Sequence, residues 1–335
     1  MTDSQFSVLE ICAGAGGQSS GLEQAGFGHS LAVEIDRDAA ATLRLNRPKW
    51  NVREGDVRDV NGKEFIGIDL VAGGVPCPPF SVAGKQLGEN DERDLFPEAL
   101  RLVREARPAA VMLENVRGLA SAKFAPYRRS VLSELDRLGY VADWKLLYSS
   151  SYGVPQLRPR FILVAFKGRL ANAFVWPEPA GFPPTVGETL YPLMAANGWK
   201  GAEEWAAQAD GVGPTIVGGS KKHGGADLGP TRAKAGWLAL RVDGKGIANA
   251  APTSSVAPDF IPKLTNEMVA RIQGFDSTWK FSGLKTSTYR QIGNAFPPPV
   301  ARSIGVSIGE VLNGKAAKKP LRRARESLSS LRIAV

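Results

Sequence analysis

The sequence predicts an α/β protein, with a parallel sheet covered on both faces and a smaller second domain. Three observations carry this. In the first half, short runs that are apolar throughout alternate with segments of helical spacing, as strands buried on both faces and joined by helices do. Near Gly168 that alternation stops, and the chain becomes rich in Gly, Pro and Trp. At 335 residues there is room for a large core and for two domains.

Taken in order, "FSVLEICAG" is a continuous apolar strand that breaks at glycines, and "GQSSGLEQAGF" after it has helical spacing. "SLAVE" is the second strand, "DRDAAATLRLN" a helix, and a third candidate strand precedes "EGDV". "IDLVAGG", "AAVMLENV" and "FILVAF" complete the strands. The helical patterns "DLFPEALRLVREA" and "YRRSVLSELDRLGY" lie between them. From Leu170 to about Pro258 little periodicity is visible, and "GPTIVGGSKKHGGADLGP" is loop-like. "TRAKAGWLALRV" fits a helix or a short strand. "NEMVARIQGF" resumes a helical pattern, and "PPPVARSIGVSIGEVLNG" is a final helix that starts after prolines. The expected division is a catalytic and cofactor-binding domain at 1–168 and a small domain at 169–285, followed by a returning helix at 286–313 and a disordered basic tail at 314–335.

Composition narrows the function classes. Hydrophobic content of 43% and charged content of 22% are those of an ordinary soluble protein. No run is long and apolar enough to span a bilayer, and no signal peptide is evident, so a cytoplasmic setting without membrane partners is expected. Two cysteines cannot build a disulfide framework, and two histidines make a zinc site a poor expectation, so no metal is expected. The net charge of +9 hints at nucleic acid, but the tail from Lys315 supplies +6 of it, with seven basic residues against Glu326.

The turn "EICAGAGGQSSGL" leaves the first strand and opens a helix. Glycines there let backbone approach a ligand, and a helix N-terminus offers unpaired N–H groups. Glu34 ends the second strand, near the offset at which an acid binds ribose hydroxyls, and Asp56 follows the third. The pattern fits a nucleoside-containing cofactor but does not separate a dinucleotide from S-adenosylmethionine. Gly14, Gly16 and Gly17 do not make a clean G-x-G-x-x-G, which counts against NAD.

Two side chains follow strands at what would be the carboxyl edge of the sheet, where open α/β sheets bind ligands. Cys77 comes after "IDLVAGG" and Glu114 after "AAVML". A thiol and a carboxylate beside a cofactor crevice suit covalent catalysis with an acid partner. A small buried hydrophobe at Cys77 and a helix cap at Glu114 are equally readable from pattern alone.

The motifs, taken together, resemble the cytosine-5 DNA methyltransferases. "CAGAGGQSSGLEQAGF" looks like that family's first cofactor motif, "GGVPCPPFS" its Pro-Cys nucleophile motif and "LENV" its Glu-Asn-Val motif. "PQLRPRFILVAF" looks like its Gln-x-Arg-x-Arg motif, and "LTNEMVARIQGF" and "YRQIGNAFPPPVA" like its two closing motifs. Six such motifs in family order make the resemblance specific. It implies a Rossmann-like S-adenosylmethionine-dependent methyltransferase fold, with target recognition in the variable stretch at about 170–258.

The resemblance also implies roles. Cys77 would be the nucleophile that adds to cytosine C6. Glu114 would protonate the ring at N3, and Arg160 would contact the cytosine carbonyl with Arg158 nearby. For the cofactor, S-adenosylmethionine with S-adenosylhomocysteine as product, Glu34 would bind the ribose and Ile35 would pack on the adenine. Asp56 would contact the adenine amino group, with Val57 beside it. Cys12, Ala13, Gly14, Gly16 and Gly17 would form the cofactor turn, and Asn294 and Ala295 would close the pocket. DNA contacts would come from Ser81, Lys85 and Gln86 after the nucleophile, and from Lys221, Lys222, His223, Arg232 and Lys234 in the variable stretch.

Two positions depart from the family pattern. Pro78 stands where Gln is usual, and Cys12 stands where an aromatic is usual. The expected partner is double-stranded DNA and the expected state a monomer in the bacterial cytoplasm, at the nucleoid when bound to DNA. A cognate restriction endonuclease encoded nearby would complete a restriction–modification system. A tRNA or RNA cytosine-5 methyltransferase, or an inactive DNA-binding relative, would share the same motifs.

Overall fold

The structure is a computed structural model that describes residues 4–76, 94–219 and 226–314. Its strands are β1 (Phe6–Ile11), β2 (Phe27–Glu34), β3 (Val52–Glu54), β4 (Leu70–Gly74), β5 (Ala110–Val116), β6 (Tyr140–Tyr148) and β7 (Pro159–Lys167). They form one sheet in the order β3-β2-β1-β4-β5-β7-β6. Strands β1 to β5 pair in parallel, as their unbroken apolar runs predict. β7 is different: it runs antiparallel to both β5 and β6. The expectation of a wholly parallel sheet is corrected there. Only ten residues join β6 to β7, too few for the crossover that a parallel neighbour needs.

The helices α1 (Gly17–Gln24), α2 (Arg37–Asn46), α3 (Phe96–Ala106) and α4 (Ala125–Arg137) fall where helical spacing predicts them. Asp36 starts α2 by accepting the N–H groups of Asp38 and Ala39. On one face of the sheet Leu9, Ile11, Val71, Val111 and Leu163 pack against Leu102 and Val103 of α3 and Val131 and Leu135 of α4. On the other face Val8, Leu70, Ala72, Met112 and Val164 pack against Leu22 of α1 and against the C-terminal helix α10 (Pro298–Leu312) through Val300, Ile304 and Ile308. Alternate residues of each strand serve the two faces, so both layers bury apolar area at about 25 cal/mol per Å².

The second half is more helical than its sequence suggests. It holds α5 (Val186–Met194), α6 (Ala202–Gln208), α7 (Thr231–Ala239), α8 (Asn266–Ile272) and α9 (Lys285–Asn294). The ambiguous "TRAKAGWLALRV" is therefore helical over its first part. Leu190, Trp199, Trp205, Trp237, Met268 and Ile272 form a core that continues into Leu43 of α2. The chain rejoins the sheet domain at Trp279, whose indole N–H donates to the Ala15 carbonyl at 3.0 Å. Lys280 and Asn46 then exchange two hydrogen bonds, and Ser282 N–H donates to Thr42 Oγ1. Among the described residues no helix is long and apolar enough to cross a membrane.

Candidate active site

The carboxyl ends of β4 and β5 lie side by side, with Gly74 in register with Glu114. Glu114 Oε1 is 2.6 Å from Arg160 Nε, and both side chains are about nine-tenths buried. The antiparallel pairing of β7 with β5 creates this contact, since it sets Arg160 opposite Val116, two residues past Glu114. Burial pushes the Glu114 carboxyl above the usual carboxylate range, and the Arg160 and Arg158 guanidinium groups offset part of that rise. Beyond β4 the chain continues through Val75 and Pro76 toward Cys77. Asn115 Nδ2 donates to the Val75 carbonyl at 3.3 Å, tying that exit to the end of β5. Cys77 itself, with Ser81, Lys85 and Gln86, lies outside the described residues.

Arg158 is two residues earlier but does a different job. Its side chain is fully buried, and its guanidinium donates to the carbonyls of Ile216, Gly293 and Ala295 at 2.7, 2.8 and 2.7 Å. It therefore ties Ile216 and the Gly293–Ala295 turn to its own segment, and its charge still acts on the Glu114 carboxyl.

A second group of candidate residues lies at the ends of β1 and β2. Cys12 and Gly14 both have left-handed backbone, with φ of 51° and 56°. Glu34 accepts the Gly14 N–H on one carboxylate oxygen and the Asp36 N–H on the other, each at 2.7 Å. Burial raises the Glu34 pKa, and these N–H groups pull it back down. Ile35 is 69% exposed, unusual for a large apolar residue beside a buried acid. The three turn glycines are not equivalent. A Cβ at Gly14 would meet nothing within 4 Å, whereas one at Gly16 would lie 2.5 Å from the Trp279 ring and one at Gly17 would strike the Phe296 carbonyl. Gly14 thus faces open space, and the other two admit the returning C-terminal segment.

Asp56 caps a short 3₁₀ turn through the Arg58 N–H and sits 3.6 Å from the Arg58 guanidinium. Val57 and Ala13 are buried core residues, so neither offers its side chain to solvent. Asn294 is exposed and Ala295 buried, both at the end of α9. The turn open at Gly14, the exposed Ile35, and the acids Glu34 and Asp56 fit a nucleoside with an apolar ring face and hydroxyl donors. The residues present therefore fit the cofactor that the motifs imply.

The sequence pattern of the C-5 cytosine-specific DNA methylase family matches residues 6–310. The chain belongs to that family. This C-5 cytosine-specific DNA methylase is 62% identical to the Type II methyltransferase M.NaeI of Lentzea aerocolonigenes, over 91% of this chain and 75% of that one. It is 53% identical to the Type II methyltransferase M.NgoMIV of Neisseria gonorrhoeae, over 92% of this chain and 98% of that one. A Spodoptera frugiperda DNMT2 structure matches with a TM-score of 0.63 at 17% identity, over 92% of this chain and all of that chain, and shows the shared fold.

Of the DNA contacts expected for this methylase, Arg232 and Lys234 are on α7, where Lys234 Nζ pairs with Asp227 Oδ2 at 2.7 Å and Arg232 is exposed. Lys221, Lys222 and His223 lie outside the described residues. Sequence reasoning passed over four residues that shape the site: Gln156, Gln273, Trp279 and Gly218. Gln156 was visible within the quoted Gln-x-Arg-x-Arg motif and Gln273 within the quoted "LTNEMVARIQGF", but nothing local marks Trp279 and Gly218.

Proposed function

We propose that this methylase transfers a methyl group from S-adenosylmethionine to C5 of a flipped-out cytosine in duplex DNA, through a covalent adduct on Cys77. The observation that carries the proposal is the buried Glu114–Arg160 pair at the strand end beside the exit toward Cys77. Cytosine C5 is a poor nucleophile. Addition of the Cys77 thiolate to C6 breaks the ring's aromaticity and makes C5 enamine-like. Glu114, whose pKa is raised, delivers a proton to N3, while Arg160 holds the ring carbonyl and keeps the carboxyl oriented. The bound cofactor supplies an electrophilic methyl group. Solvent water then takes the C5 proton, the C6–sulfur bond breaks to release the thiolate, and the N3 proton returns to Glu114. Glu34, Ile35, Asp56 and the open turn at Gly14 hold the nucleoside, and Asn294 closes that end.

A cytosine within a duplex must leave the stack to reach this pair. Recognition is assigned to about 170–258, with Arg232 among its contacts. Likeness to M.NaeI and M.NgoMIV supports the role of a Type II methyltransferase. We further take the chain to be a monomer in the bacterial cytoplasm that works beside a cognate endonuclease. Bisulfite sequencing of host DNA after expression tests this, with labelled-cofactor assays on genomic DNA and tRNA. Cytosines should be protected from bisulfite conversion at one short sequence in DNA. Cys77→Ala should abolish protection while duplex binding persists; methylation that survives in Cys77→Ala sinks the mechanism.

A further inference from the structure

One cluster of buried amides lies outside every role assigned above. The Ile216 N–H donates to Gln156 Oε1 at 2.8 Å, and the Ile216 carbonyl accepts from Arg158 at 2.7 Å. Gln156 Nε2 donates to Gln273 Oε1 at 2.6 Å, and Gln273 Nε2 donates to the Ala295 carbonyl at 2.8 Å. Arg158 reaches that same carbonyl directly. Gln156, Arg158 and Gln273 are each 0% exposed. The Ile216 peptide and the Gly293–Ala295 turn are therefore joined by two polar routes through side chains that solvent does not reach. In so low a dielectric, each bond fixes geometry more firmly than it would in water.

Just beyond, the two backbones meet with nothing between them. A Cβ at Gly218 would lie 2.5 Å from Asn294 Oδ1 and 2.6 Å from the Arg290 carbonyl, and a Cβ at Gly293 would lie 2.5 Å from Gly218 Cα. Asn294 Nδ2 donates to the Gly219 carbonyl at 3.3 Å. Tyr289 Oη donates to the carbonyls of Val217 and Asp227, closing the seam from α9. One side of this seam belongs to the variable, recognition stretch. The other carries Asn294 and Ala295, at the end of the cofactor pocket.

We propose that Gln156, Gln273 and Gly218 are positioning residues that lock the recognition segment Ile216–Gly219 to the cofactor wall Gly293–Ala295, so that cofactor and DNA each tighten binding of the other. The proposal rests on the methyltransferase reading above. A ligand that fixes one side of the seam fixes the other, and the second ligand then meets a smaller ordering cost.

The test uses the full chain and a duplex fragment that bisulfite sequencing shows it to methylate. Duplex affinity is measured by fluorescence anisotropy with and without saturating S-adenosylhomocysteine. The unmutated chain should bind the duplex about tenfold more tightly with S-adenosylhomocysteine, and duplex should tighten S-adenosylhomocysteine by the same factor. In Gly218→Ala, where the new methyl group wedges the seam, the factor should fall below about threefold while unfolding stays a single transition. Gln273→Met cuts one polar route without adding bulk at the seam and should lower the factor in the same direction, so it decides the matter where Gly218→Ala does not fold. A factor near one in the unmutated chain overturns the proposal, as does a full factor in a folded variant. Methylation without coupling sinks this proposal alone, and the absence of both sinks the parent reading with it.

Discussion

Glu114 is held between burial, which favours its neutral form, and two guanidinium groups, which favour its charge; burial is the larger influence. Glu114→Gln should therefore lower kcat by about 10²- to 10⁴-fold, the range for a lost proton-transfer group, measured by single-turnover methyl transfer. Stability carries the second signature. A carboxyl whose folded pKa lies above its unfolded value contributes stability that is present below the unfolded pKa and lost as pH rises through the folded one. The Tm of Glu114→Gln minus that of the parent should thus rise as pH climbs above about 4, the unfolded carboxyl value; a flat or falling difference contradicts the assigned environment. Burial acts in the same direction on Cys12. Enclosure of its thiol, then the charges of Glu34, Asp56 and Glu10, push its pKa up and favour the neutral thiol. Sequence pattern could put Glu114 at a strand end, but its partner Arg160 depends on which strand lies next to β5. That is a matter of sheet order, which local apolar runs do not encode.

Helix α1 opens the cofactor turn, and its position is set by α10. A Cβ at Gly21 would strike the Pro298 carbonyl and lie 2.6 Å from the Ala301 Cβ, while one at Gly305 would lie 2.8 Å from the Ala25 Cβ. The two helices approach through glycines on both sides. Gly21→Ala should cost about 1–3 kcal/mol by overpacking and should weaken S-adenosylhomocysteine binding with it, because the helix carrying the turn is displaced. Thermal unfolding and calorimetric titration read the two effects, and an unchanged Tm would refute the packing argument. Elements differed in how legible they were. β1, β4 and β5 were readable because strands buried on both faces carry mostly apolar residues without a polar alternation. β6 was not, because its buried and exposed positions are mixed and it directly follows the pattern of α4. α5 contains Gly187 and Pro192 within its nine residues, which hides helical spacing behind residues that usually mark turns.

Three buried clusters hold the molecule together, two against the faces of the sheet and one within the second half. Arg158 ties Ile216 to the C-terminal return at Gly293 and Ala295 by three carbonyl bonds. Arg158→Ala should remove these bonds, leave a cavity and cost about 3–5 kcal/mol, so that the Tm and methyl transfer fall together. A variant that keeps its Tm yet loses activity would instead put Arg158 at the reacting ring. This clasp was illegible in the sequence, since Arg158 and Ala295 meet only after the whole second half has folded back. The same return has a consequence in time. β1 and the turn after it leave the ribosome well before α10, Phe296 and Trp279, which cover them. At about 5–20 residues per second, synthesis leaves the turn uncovered for tens of seconds. A nascent chain therefore lacks the wall that Phe296 and Trp279 give this turn until α10 has emerged.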